Sequence, residues 1–389
     1  MNARERYLNS LLGGPIDRFF RLELGAWPST VRRWKKEGLP HYVSDEELLN
    51  AQLYAMDLAN TEHGERTVSF NEFFKNDTLY RLPVQGGYCD SPLFPKYVTE
   101  VLEEEETTYI VRDVDGVIKK IFKENSDLSM PMFLEFPVKT PADWEKLKSE
   151  HMRIDLIKEQ LGDVQALAEE IGGEARDFPA YMTACGGFGH PRNLLGDVNL
   201  CLAYYDEPEM MHDIMRHWLA VNAEILTIVS KHIVLDNYLI WEDMSYKNGP
   251  LIGPDMFREF MLPYYKELVA HAKAQGVKAV TVDTDGDCIS LLPLFLEAGV
   301  DALLPFEAQA GMDIVKIREQ FGDVFAIVGG INKRALYEGK EATKKEVDRI
   351  CAYFLESKKY IPCLDHTVPA DVSYEGYLYY LECLRSYEK

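Results

Sequence analysis

The chain is expected to be an α/β protein, a (β/α)8 TIM barrel with an elaborated N-terminal region that includes a β-hairpin. Three observations predict this. From about residue 178, short apolar runs alternate with amphipathic helical segments. The runs are apolar throughout, the pattern of parallel strands covered by helices. Each run also ends in an acid, a histidine or a glycine pair, which is where barrel strands carry their catalytic groups. A doubly wound sheet shares these features and stays open as the structural competitor. The whole chain, 1–389, is read as one domain: 1–150 holds the elaboration and the first strands, and 178–389 holds the regular βα units.

Residues 29–37 (STVRRWKKE) read as a helix with a Ser N-cap and a Gly stop, and 44–58 as one opened by the capping box SDEE. The segment TTYIVRDVDGVIKKIF reads as a hairpin, with halves 108–113 and 116–122 around a turn at Asp115-Gly116. In KTPADWEKLK, Pro141 takes the first position of the next helix. Strand-like runs then follow at 178–184, 237–242, 277–282, 301–305, 324–328 and 360–364. Helices are expected at 207–231, 254–275, 288–298, 312–321, 342–357 and 373–387. Six units in about 210 residues, with early material for two more, suit an eight-fold barrel.

The residues that follow these strands converge on one mouth. Gly186-Gly187 and Arg192 follow the first run and Glu242-Asp243 the second. Asp283, Asp285 and Asp287 follow the third, Glu307 the fourth, Gly329-Gly330 the fifth, and Asp365 and His366 the sixth. Each has a bland reading as well. Asp287 suits a helix cap, His366 a core histidine, and Trp27, Trp34 and Trp241 packing. The runs RRWKK (32–36) and EEEE (103–106) suit solvated surfaces. The D-x-D-x-D spacing fails as an EF-hand, because Cys288 and Leu294 stand where Gly and Glu are needed. The strand-D-x-D-G pattern also lacks the downstream aspartates of a haloacid dehalogenase-type phosphatase.

The formal charge of −22 argues against nucleic acid and anionic membranes as partners, which need basic patches. The start, MNARERYLNSLLGG, has no signal-peptide apolar core, and no apolar run is long enough to span a bilayer. Seven scattered cysteines without a C-x-x-C pair suggest a reduced, cytoplasmic setting.

Four stretches resemble the uroporphyrinogen decarboxylase superfamily: NARERYLNSLLGGPIDRF, GGFGHPRNLLGDVNLCLAYYDEPEMMHDIM, EDMSYKNGPLIGPDMFREFMLPYYKELV and IPCLDHTVPADVSYEGYLYYLECL. The likeness is greatest to its corrinoid-dependent methyltransferase branch. It covers nearly the whole chain, more firmly from about residue 180. It implies a barrel with its site at the C-terminal mouth. Gly253 stands where the family has a serine, and the arginine-rich segment of true decarboxylases is missing from LELGAWPSTVRRW. A polycarboxylate tetrapyrrole would also be poorly received by so acidic a mouth.

The thiol-methylating members hold zinc with H-x-C, a glutamate and a last cysteine. By position, Asp283, Asp285, Glu307 and His366 occupy those places, so the resemblance implies a divalent metal, zinc first, with harder ligands. It further implies a methyl group moved from a small, methoxylated substrate to the corrinoid of a separate partner protein. Either a metal or a protonated carboxyl would stabilise the leaving group. Asp243 is the expected substrate-contacting acid, with Glu242 its partner or a proton donor and His366 and Asp285 also catalytic. Trp27, Trp241 and Tyr246 are expected to line the pocket. A decarboxylase or lyase, with Arg192 or Lys333 binding a carboxylate, is the enzymatic alternative, and a silent ligand-binding homologue is the third reading. A homodimer is possible on any of these readings.

Overall fold

A computed structural model of the chain describes residues 1–43, 68–84, 87–123, 131–355 and 357–388, so the helix expected at 44–58 lies outside the described residues. In chain order the strands are β1 (Tyr80–Arg81), β2 (Glu100–Glu104), β3 (Thr108–Arg112), β4 (Ile118–Phe122) and β5 (Met132–Glu135). There follow β6 (Ala180–Cys185), β7 (Asn237–Trp241), the short ribbon β8 (Ser245–Tyr246) and β9 (Gly249–Pro250), and β10 (Ala279–Asp283). β11 (Ala302–Leu304), β12 (Ala326–Val328) and β13 (Tyr360–Ile361) complete the set.

Seven strands form one curled parallel sheet in the order β1-β6-β7-β10-β11-β12-β13. The remaining side is filled by the segment 18–27. There Asp77 N donates to Arg21 O at 3.0 Å on one side, and Val368 N donates to Gly25 O at 2.9 Å on the other. The result is the TIM-barrel-like α/β fold expected. Residues of β6, β10, β11 and β12 are buried almost without interruption, as strands covered on both faces must be. One apolar cluster lies between sheet and helices. The other fills the barrel, where the small Ala279, Ala302 and Ala326 leave room for Tyr181 and for Tyr7 from the first helix, Ala3–Leu12.

Register sets the level of the mouth. Asp283 lies beside Trp241 on one neighbour and Leu304 on the other, and Trp241 lies beside Cys185. Inward groups at this level share the carboxyl end of the barrel.

The expected hairpin is part of a four-stranded antiparallel sheet, β2-β3-β4-β5. Its turn is tied to the barrel through buried Asp115, which accepts from Ser91 N and, at 3.1 Å, from Asn193 Nδ2. Strand β2, which carries the start of the acidic run, is exposed throughout. Three helix boundaries differ from expectation. The second helix is Pro28–Glu37 with Trp27 at the N-cap, because Pro28 supplies a ready first turn and displaces Ser29. The helix expected at 254–275 is two, Pro254–Phe260 and Leu262–Ala274, since Pro263 has no N–H to continue the first. The helix after β10 begins only at Leu292, and Asp287 caps the intervening turn by accepting from Ile289 N at 3.1 Å.

Candidate active site

The loop after β10 builds the centre of the mouth. Gly286 is needed there, because its φ is +73° and a Cβ would lie 2.4 Å from Ser245 O. This turn lets Asp283 and Asp285 face the same space. Asp285 Oδ2 stands 3.2 Å from His366 Nε2, and Glu307 Oε2 accepts from Gly286 N at 3.0 Å. Lys333 Nζ is 3.6 Å from Glu307 Oε1. Asp365 fixes the Lys333 loop from below, accepting from Lys333 N and Ala308 N at 3.0 Å each. The expected residues Asp283, Asp285, Glu307, Lys333 and His366 are therefore brought together.

Burial and the nearby Asp285 charge push the Asp283 carboxyl up to about 8, which keeps it protonated at neutral pH. Burial opposes the charged form of Asp285 too. There the imidazole of His366, with Lys333 and Arg192 behind it, outweighs burial and holds the carboxyl below its ordinary value. His366 is the mirror case: burial lowers it, and Asp285 outweighs burial and raises it. The two shifts favour an imidazolium facing a carboxylate.

Glu242 and Asp243 part company at the end of β7. Glu242 is fully buried and turns to the start of the helix Gly189–Leu195, accepting from Gly187, Phe188 and Gly189 N at 2.8, 2.7 and 2.9 Å and from the Tyr265 hydroxyl. A Cβ at Gly186 would come within 2.2 Å of that carboxyl carbon, so a side chain there would have to displace the Glu242 carboxyl. Four donors are thus aimed at Glu242, and burial raises its pKa while they offset part of the rise. Asp243 adopts φ +44°. Its Oδ2 and carbonyl accept from Arg192 at 3.0 and 2.6 Å. Burial raises its pKa and Arg192 offsets part of the rise.

Trp27 lies nearly parallel to His366, at 21° with centroids 6.4 Å apart, and the Arg192 guanidinium sits 5.0 Å over the Trp241 ring. Tyr246 is 59% exposed on the outer ribbon, with its phenol near Arg192 and Asp243. One residue at the centre was missed. Tyr88, from the loop after β1, donates its hydroxyl to Asp283 Oδ2 at 2.7 Å. No periodic pattern marks it; the only signal was an aromatic residue in a polar, glycine-rich turn.

The expected metal set does not fit. Among the described residues no three His, Cys, Asp or Glu side chains stand together as a metal's ligands. Asp283, Asp285, Glu307 and His366 are instead engaged by Tyr88, by one another and by Lys333, whose ammonium occupies the electrostatic place of a cation. Chemically, the mouth brings Asp283 and His366 beside the acids Asp243, Asp285 and Glu307 and the cations Arg192 and Lys333.

The described residues include no helix long and apolar enough to cross a membrane. A methyltransferase from Methanosarcina mazei has a similar fold over 100% of this chain and 98% of its own, with a TM-score of 0.58 and 14% identity. The uroporphyrinogen decarboxylase of Chlorobium limicola is 30% identical over 43% of this chain and 46% of its own length. That of Methylococcus capsulatus is 25% identical over 57% of this chain and 59% of its own. The chain thus matches about half the length of these curated relatives. The sequence pattern of the uroporphyrinogen decarboxylase (URO-D) family spans residues 122–387, well over half of the chain, which therefore belongs to that family.

Proposed function

We propose that the protein moves a methyl group from a small, methoxylated substrate to a separate corrinoid protein, with acid assistance from its own side chains. The observation that carries this reading is the pairing, in one mouth, of Asp283, whose carboxyl burial pushes up to about 8, and His366, set 3.2 Å from Asp285. Breaking a methyl ether leaves an alkoxide or phenolate, and a positioned donor stabilises it as the C–O bond lengthens. Asp283 is that donor. His366, held by Asp285, faces the same oxygen or replenishes the proton. Asp243, oriented by Arg192, contacts the substrate, and Trp27 and Trp241 give its apolar part a surface. A reduced cobalt brought by the partner would supply the electron pair that takes the methyl carbon. The name of the methyltransferase of similar fold agrees with this chemistry.

The test is to mix the protein with a reduced corrinoid protein and methoxylated compounds and to follow methyl-cobalt absorbance. A second reading, decarboxylation of a small carboxylate, is favoured by Lys333, whose ammonium is only loosely engaged by Glu307, and by the names of the curated relatives. Release of carbon dioxide without methyl-cobalt formation would select it.

A further inference from the structure

Asp283 has one oxygen committed and one open. Oδ2 accepts the Tyr88 hydroxyl at 2.7 Å. Asp283 keeps part of its surface in the mouth, and Oδ1 has no hydrogen-bond partner among the described residues. Tyr88 itself is fixed. Its ring packs into the barrel interior among residues such as Leu239, Leu304 and Cys363, and it is 7% exposed. Its loop is pinned by Gly87 N on Asp90 Oδ2 at 2.7 Å and by Asn193 Nδ2 on Cys89 O at 3.0 Å. A phenol has a single proton to give, and here Asp283 receives it. The carboxyl oxygen that accepts a hydrogen bond is the carbonyl-like one, so the acid proton belongs on the other.

We propose that Tyr88 is a positioning residue for Asp283, holding Oδ2 as an acceptor so that the carboxyl proton sits on Oδ1 and faces the bound substrate. This rests on the methyl-transfer reading for its consequence. As the ether C–O bond breaks, its electron pair stays on the departing oxygen and the Oδ1 proton moves there. Asp283 is left as a carboxylate still bonded to Tyr88, and water returns the proton. Without the phenol, the proton can sit on either oxygen and the donor loses its aim.

Tyr88→Phe keeps the ring and its packing, so folding is checked by its melting curve and the pairing by infrared spectroscopy. In protein kept acidic enough to protonate Asp283, the carboxylic C=O band, assigned by its loss in Asp283→Asn, should rise in frequency when Tyr88 is replaced. In turnover, Tyr88→Phe should slow demethylation of alkyl methyl ethers by about 10²-fold, and nitrophenyl methyl ethers, whose leaving group needs no proton, far less. An unmoved band, or an equal loss on both ethers, overturns the proposal. A wild-type protein that forms no methyl-cobalt from any ether sinks the methyl-transfer reading instead, and the infrared band alone then decides the role of Tyr88.

Discussion

The two ends of the barrel treat buried acids in opposite ways. At the N-terminal end, Asp236 is fully buried and fully answered. It accepts from Arg4 Nε and Arg176 at 2.8 Å and from Ala180 N at 2.9 Å. At the C-terminal end, Asp243, Asp283, Asp285 and Glu307 share Arg192, Lys333 and His366, and one Asp283 oxygen has no hydrogen-bond partner among the described residues. A completed ion pair gains nothing from a ligand. An incomplete cluster has protons and hydrogen bonds to exchange with one. The difference assigns stability to the lower end and chemistry to the upper one.

The largest expected effect breaks the lower end. Asp236→Ala leaves Arg176 buried without its partner and should cost about 3–5 kcal/mol in urea denaturation. If stability is retained, the contrast between the ends fails. Asp283→Asn attacks the upper end: turnover of a methyl ether should fall about 10²-fold, worth about 2.7 kcal/mol, while the melting temperature does not fall. Glu242→Gln tests whether a mouth-level acid can belong to the lower end in kind. It places an amide NH2 among three backbone donors and should cost about 1–3 kcal/mol of stability. A variant of normal stability and no turnover would return Glu242 to the chemistry. Asp243→Asn keeps the left-handed backbone, which Asn tolerates. It should lower turnover about tenfold with near-normal melting, and unchanged turnover would remove Asp243 from the substrate contacts.

Much of this division was legible in the sequence, because runs such as LIWE and AVTVD place every following acid at one end of a parallel barrel. The Glu242–Asp243 pair was legible only in part. Strand alternation allows one of two successive residues to face the axis. Which one does so depends on Gly187, Phe188 and Gly189, whose buried backbone N–H groups needed an acceptor. Tyr88 was illegible for a different reason. β1 spans only Tyr80–Arg81, too short for a period, so nothing in the local pattern tied that loop to the mouth. The metal set looked sound by position, yet among the described residues no three such side chains stand as ligands, and Lys333, from the loop after β12, lies beside Glu307. Similar spacing therefore says where side chains gather, and the surrounding charges say what they hold.

A pH titration sharpens the contrast most directly, because it reads the proton on Asp283. An unfolded aspartate titrates near 3.9, whereas burial and Asp285 push the folded Asp283 up to about 8. Below pH 4 both states carry the proton, and the stability linked to it is fully present. Between pH 4 and pH 8 the folded state binds a proton that the unfolded state has released, so this contribution is lost as the pH rises through the folded pKa. The ceiling is about 1.4 kcal/mol per pH unit. Part of Asp283 meets solvent and part of its shift is shared with Asp285, so about 1 kcal/mol or less per unit is expected. Asp283→Asn removes the linkage. The wild type should therefore lose stability relative to the variant across pH 5–8, measured by urea midpoints at each pH. Parallel curves, or a wild type that gains on the variant as the pH rises, would mean that Asp283 is ionised in the folded protein and that the mouth lacks its neutral acid.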